Sequence, residues 1–266
     1  MPPWHPHPDV WALVLVLGGG YLYAVLHVGP SQDRPSPSGA QVASFLLGVA
    51  ALWVASDWPI HDLAEQASFS AHTLEHMVQA LVAPPLLLLG TPSWLARRLL
   101  HPPPLPLVAR ALTRPLAAFA IFNVTMLAIH WPIVVGLMLR SEPFHLAAHA
   151  LVVLAGLVMW APVLSPLPEL PRLSPPLQMV YLFAQSILPT IPASFITFAQ
   201  SPPYRSYQAL TPLWGLSVLE DQQLAGLLMK IGGGLILWTA ITIIFFRWYL
   251  EEQRWDRLER ELRRGA

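Results

Sequence analysis

An all-α bundle of seven membrane-spanning helices, N-terminus outside, is the fold that this sequence predicts, and three observations predict it. Of 266 residues, 55% are hydrophobic and only 11% charged, where a soluble domain carries roughly a quarter charged. Apolar runs recur at about the 20 residues that cross a bilayer as a helix. None shows the short alternation of a barrel strand, and a backbone in lipid has to satisfy its own hydrogen bonds, as a helix does.

The first run, residues 10–28, holds His27 and follows a stretch, 1–9, without Lys or Arg. It lacks the basic start of a signal peptide and reads as a retained span. A Pro/Ser linker, 30–39, leads to the second and shortest run, 41–56. The third, 68–89, carries His72, Glu75, His76 and Gln79, and Pro84 and Pro85 are expected to disrupt its hydrogen-bond ladder. The fourth covers 115–139 and the fifth 143–163. In the sixth, 177–199, Thr190-Ile191-Pro192 predicts a kink. The seventh, 222–246, is interrupted only by Lys230, and Gly232, Gly233 and Gly234 loosen it or admit a close neighbour. No internal repeat divides the chain, so 1–266 reads as a single integral membrane domain. It closes with a mixed-charge, solvated helical tail, 247–266, in which Asp256–Arg260 and Glu259–Arg263 stand four apart with the acid first.

Arginine placement sets the orientation. With the N-terminus outside, the inner segments collect Arg34, Arg97, Arg98, Arg110, Arg114, Arg172 and six arginines from Arg247 onward. The outer segments collect only Arg140 and Arg205, and they also hold Asp57, His61, Asp62 and Glu65. The tail is therefore cytoplasmic.

Composition excludes several function classes. A formal net charge of zero is not the basic footprint of a nucleic-acid binder. Zero cysteines exclude disulfides, thiolate metal sites and a cysteine nucleophile. No GxSxG and no phosphate-cradling glycine loop is present, so neither a hydrolase nor an ATP-driven pump is read, and the chain is not expected to be an enzyme.

Ten histidines against a single lysine is the informative balance. His72 and His76 fall in the first two turns of the third helix, His145 and His149 in the first two of the fifth, and His130 near the outer end of the fourth. Asp57 closes the second helix and Asp221 opens the seventh at the same depth. Each i,i+4 pair places two imidazoles on one helix face, and imidazole is a common ligand of copper and zinc. Met77, Met138 and Met229 are candidate soft ligands. The alternative for the histidines is hydrogen bonding to carbonyls or to Asp57, Glu75 and Asp221; for the methionines it is packing. His5, His7 and His101 lie among prolines and read as solvated, His5 and His7 with a loose hold on an ion. Glu75 and Lys230 are charges inside the spans, which function or mutual pairing has to explain. A lysine in the last of seven spans also admits a retinal Schiff base, a reading that leaves the histidines without a role.

His72-Thr-Leu-Glu-His76-Met-Val-Gln79, followed by Ala83-Pro84-Pro85 and Gly90-Thr-Pro92, resembles the membrane-integral CtaG family of caa-type cytochrome c oxidase assembly factors. Phe144-His145-Leu-Ala-Ala-His149, Trp160-Ala-Pro162 and the block from Asp221 to Met229 extend the likeness over helices three to seven. The resemblance implies a multi-pass protein of the bacterial plasma membrane that works with cytochrome c oxidase subunits and handles copper at the outer face. By position, His72, His76, His145, His149, Asp221 and Met229 become candidate metal ligands, with Asp57, Glu75, His130 and Lys230 as supporting or charge-pairing groups. One departure stands out: Lys230 occupies a position where the family pattern has Trp, and a cation there repels a bound ion unless it turns away or is neutralised by Glu75. Bis-histidine haem binding and copper transport through the bundle are the alternative functions.

Overall fold

The computed structural model describes residues 4–208 and 215–265 without the Arg264 side chain. Met1 to Pro3 of the uncharged N-terminal stretch, and the Arg264 and Ala266 ends of the tail, lie outside the described side chains. The chain is 80% helical, and no strand occurs among the described residues. Its helices are α1 (Pro8–Ser31), α2 (Gly39–Ser56), α3 (Ile60–Gln66), α4 (Phe69–Gly90), α5 (Ser93–Leu100), α6 (Leu105–Leu112), α7 (Pro115–Ile129), α8 (Pro132–Met138), α9 (Glu142–Leu164), α10 (Pro175–Thr197) and α11 (Val218–Arg263).

Six of these are long and apolar enough to cross a bilayer, and the candidate for a seventh is a bent pair, α6 and α7, meeting at 83°. That corrects the fourth expected span, which was to run unbroken to residue 139. Pro132 bars the residue before it from helical backbone, so Trp131 is extended (ψ 133°) and α7 stops at Ile129. Fifteen residues at 1.5 Å each are about 22 Å, short of a hydrocarbon core of roughly 30 Å. The kink in α10 falls at Leu188–Pro189, just ahead of the expected triplet. By contrast α11 continues unbroken through the charged tail; its 46 residues are about 70 Å long, so its C-terminal half stands clear of any bilayer.

Pro84 and Pro85 do not end α4. The helix widens to a π turn over Val78–Val82, with Ala83 N–H reaching Val78 O, and then resumes. Pro84 has no N–H to give Ala80 O, and that freed carbonyl faces α9 at Gly156. A Cβ on Gly156 would stand 2.6 Å from Ala80 O and 2.8 Å from Pro84 Cγ, so only glycine lets the two helices meet here. A matching π turn in α11, Leu228–Gly232, lies alongside.

Contacts fix the layout. α2 runs antiparallel to α4, with Gln41 beside Gly90 and Ser56 beside Gln79. α9 and α11 run parallel to α4, as His149 meets Gln79 and Asp221 meets Ser70. The central core joins Leu81, Phe122, Val152, Met159, Leu182 and Leu237 from α4, α7, α9, α10 and α11. Outward apolar residues such as Leu15 (73% exposed) and Leu116 (85%) are what a lipid-facing surface requires. At one end of the bundle Arg97 pairs with Glu169 at 2.8 Å, and that arginine holds the Glu169 carboxyl below its usual range, after a hydrogen bond from its own backbone N–H. The histidines gather at the other end.

Candidate metal centre

The i,i+4 spacing on α4 and α9 delivers its geometry. The rings of His72 and His76 lie 4.2 Å apart between centroids, and those of His145 and His149 lie 4.3 Å apart. The pairs meet across the helix interface, at 6.3 Å for His72–His145 and 5.2 Å for His76–His149. His130, at the end of α7, joins at 5.5 Å from His76. All five are buried.

A further member comes from the short helix α3. His61, on α3, packs its ring 5.2 Å from that of His145, tilted, and 5.6 Å from that of His149, edge to face. One ligand atom from each of His61, His145 and His149 lies within 4.8 Å of the others, near enough for modest side-chain adjustment to bring them around an ion held at roughly 2.0–2.1 Å by imidazole nitrogens. Sequence reasoning placed His61 in a connection and passed over it. Its signal is a third spaced pair, His61 with Glu65, four residues on.

Carboxylates surround these three rings. Glu65 Oε1 lies 2.6 Å from His145 Nδ1 and 3.6 Å from His61 Nε2. Glu75 Oε1 lies 2.9 Å from His61 Nδ1 and 3.4 Å from His149 Nδ1. The Gln79 amide nitrogen donates to Ser56 Oγ at 2.9 Å and sits 3.2 Å from His149 Nδ1. Carboxylates that draw the Nδ1 protons orient ligating histidines and fix their tautomer. The Nε2 atoms of His145 and His149 lie 2.9 Å apart, a hydrogen bond in which one ring donates to the other.

Deeper in, neither ring nitrogen of His72 or His76 has a hydrogen-bond partner among the described residues, nor has His130 Nε2. His130 Nδ1 donates to Met126 O at 2.8 Å. Each buried, unsatisfied polar group costs about 1–3 kcal/mol, so five nitrogens at one place are not packing residue. His76 and His130 also line, with Thr73, Met77, Met126 and Met229 among others, a cavity of about 60 Å³.

Three expected participants stand elsewhere. Asp221 accepts from Ser68 Oγ (2.6 Å), Ser70 Oγ (2.7 Å) and Phe69 N–H (2.7 Å); it caps the N-terminus of α4 from another helix, where the dipole favours an anion. Asp57 accepts from the indoles of Trp11 (2.8 Å) and Trp53 (2.7 Å) and ties α1 to α2. Lys230 does not pair with Glu75; its Nζ lies 5.7 Å from the centre of the Phe198 ring, turned away from the histidines. Met229 lines the cavity with Met77, whereas Met138 is buried on α8 and does not. His5 and His7 are not free in solvent: each lies 3.1 Å from an Asp62 oxygen, and His7 stacks 5.0 Å from His61.

Two tyrosines from the connection before α11 frame the group. Tyr204 donates to His130 O and Tyr207 to Ala64 O, both at 2.8 Å. Burial pushes both hydroxyls well above the ordinary phenol range, so they remain donors.

A family model described as cytochrome c oxidase caa3 assembly factor (Caa3_CtaG) matches residues 19–251. No curated protein and no solved structure matches the chain.

Proposed function

The chain belongs to the family of cytochrome c oxidase caa3 assembly factors, and from that premise we propose that it binds copper at the outer face of a bacterial plasma membrane and passes it to an oxidase subunit. The observation that carries the reading is the His61–His145–His149 group, three imidazoles from two helices with their nitrogens within 4.8 Å and with Glu65 and Glu75 behind them.

Copper(II) and zinc take imidazole readily, and copper leads the affinity order of the divalent first-row metals. A copper centre has to be loaded without free ion, and a thiol-free site releases its cargo more easily than a thiolate would. No covalent step is needed, so the role is that of a carrier rather than a catalyst. Haem is less well supported. The rings pack against one another at 4.2–6.5 Å, and the adjoining cavity of about 60 Å³ is far below the roughly 300–1,000 Å³ of a cofactor pocket. Transport through the bundle is less well supported too, since the histidines gather at one end.

The test is copper counted per purified chain, for the wild type and for His61→Ala combined with His149→Ala. The double variant is expected to lose one copper. Unchanged stoichiometry removes the copper role and leaves oxidase assembly standing.

A further inference from the structure

The histidine cluster is two groups, and only the outer one has carboxylates. His61, His145 and His149 contact Glu65 and Glu75. His72, His76 and His130 have no ionised neighbour of their own in hydrogen-bond contact among the described residues; each has an unpartnered ring nitrogen, and His76 and His130 line one cavity with Met77, Met126 and Met229. We propose that this inner group is a second copper position, selective for copper(I), with imidazoles of His76 and His130 and thioethers of the three methionines as its ligand pool. The proposal rests on the copper reading above and adds to it a second site and an oxidation state.

The chemistry of the donors separates the two positions. Thioether is a soft ligand that selects copper(I), while carboxylate-supported imidazole suits divalent ions. Charge argues the same way. The cost of burying an ion in a low-dielectric interior rises with the square of its charge; a site without a carboxylate therefore accepts a monocation far more readily than a dication. Neutral donors are what the inner group offers.

Placement supports a ligand role over packing. His130 Nδ1 is committed to Met126 O, which leaves Nε2 as a lone pair, and both nitrogens of His76 lack partners. Met77 reaches α11 at a glycine: a Cβ on Gly232 would lie 2.8 Å from its Cε. The two groups also connect, since His76 stands 5.2 Å from His149 between ring centroids.

The experiment is an anaerobic copper(I) titration of the full-length purified chain against a competing chelator, read by stoichiometry and by X-ray absorption for copper–sulfur scattering. Wild type is expected to bind two copper(I), one with sulfur neighbours. Combined Met77→Leu, Met126→Leu and Met229→Leu, near-conserving in volume, is expected to abolish the sulfur signal and weaken one site at least tenfold. His61→Ala with His149→Ala is expected to lose the other site and keep the sulfur signal. One copper, without sulfur, lost in the histidine variant and indifferent to the methionines, overturns the inner site (water alone fills it) while the proposed function stands. No copper in the wild type overturns both.

Discussion

Glu75 holds His61 from a different helix, with Oε1 2.9 Å from Nδ1. The same oxygen faces His149 Nδ1 at 3.4 Å, and Oε2 has no partner among the described residues. A single buried carboxylate thus orients two of the three outer imidazoles. Glu75→Gln keeps the shape and removes the charge. Losing such an orienting group typically weakens metal binding 10–100-fold. Competition titration of the outer site is expected to show that loss at unchanged stoichiometry; an unaltered affinity would detach Glu75 from the site.

Asp221 gives the opposite expectation. Its carboxylate serves Ser68, Phe69 and Ser70, so Asp221→Ala strands two hydroxyls and an N–H in the interior at about 3 kcal/mol in all. The melting temperature in detergent is expected to fall clearly, while copper stoichiometry in the folded fraction stays at the wild-type value. Selective loss of copper without loss of stability would make Asp221 a ligand after all.

What the sequence disclosed follows from periodicity and length. Apolar runs located the membrane helices to within a few residues, the fourth excepted, because lipid imposes both composition and extent. The two i,i+4 pairs were legible since a helix places such residues on one face whatever it packs against. His61 was not, because nothing local says that the connection holding it folds back over α9. Asp221 was read as a candidate ligand at the histidine end; the carboxylate accepts from Ser70, 151 positions away, a relation that only tertiary structure supplies. The break at His130–Trp131 was readable from Pro132, but the apolar run around it masked the signal.

Two glycines in the interhelical contacts should differ in tolerance. At Gly156 an added Cβ meets backbone, Ala80 O at 2.6 Å, and neither helix can yield. At Gly232 it meets only Met77 Cε, the far end of a flexible side chain. Gly156→Ala is expected to cost about 1–3 kcal/mol, the usual range for overpacking, and Gly232→Ala distinctly less. Thermal melts of the two variants side by side check the order, and a reversal would mean that α4 and α9 are packed less closely than described.

Lys230 is the charge that the family pattern does not lead one to expect. Because its Nζ lies over Phe198, Lys230→Leu is expected to leave copper affinity and stoichiometry within error of the wild type. A tenfold gain in affinity on removing the cation would show that Lys230 opposes the bound ion, and would return it to the site.

Orientation decides which compartment the histidines serve. Twelve arginines in one set of connections against Arg140 and Arg205 in the other are the ground, by the positive-inside rule, for expecting the N-terminus outside. The absence of cysteine makes this directly measurable, since any introduced thiol is the only one. Arg205→Cys lies on the histidine side and Arg257→Cys on the tail, both exposed. A membrane-impermeant maleimide added to intact spheroplasts is expected to label Arg205→Cys at once and Arg257→Cys only after lysis. The reverse pattern would place His61, His145 and His149 at the cytoplasmic face, and copper would then have to be captured from inside the cell.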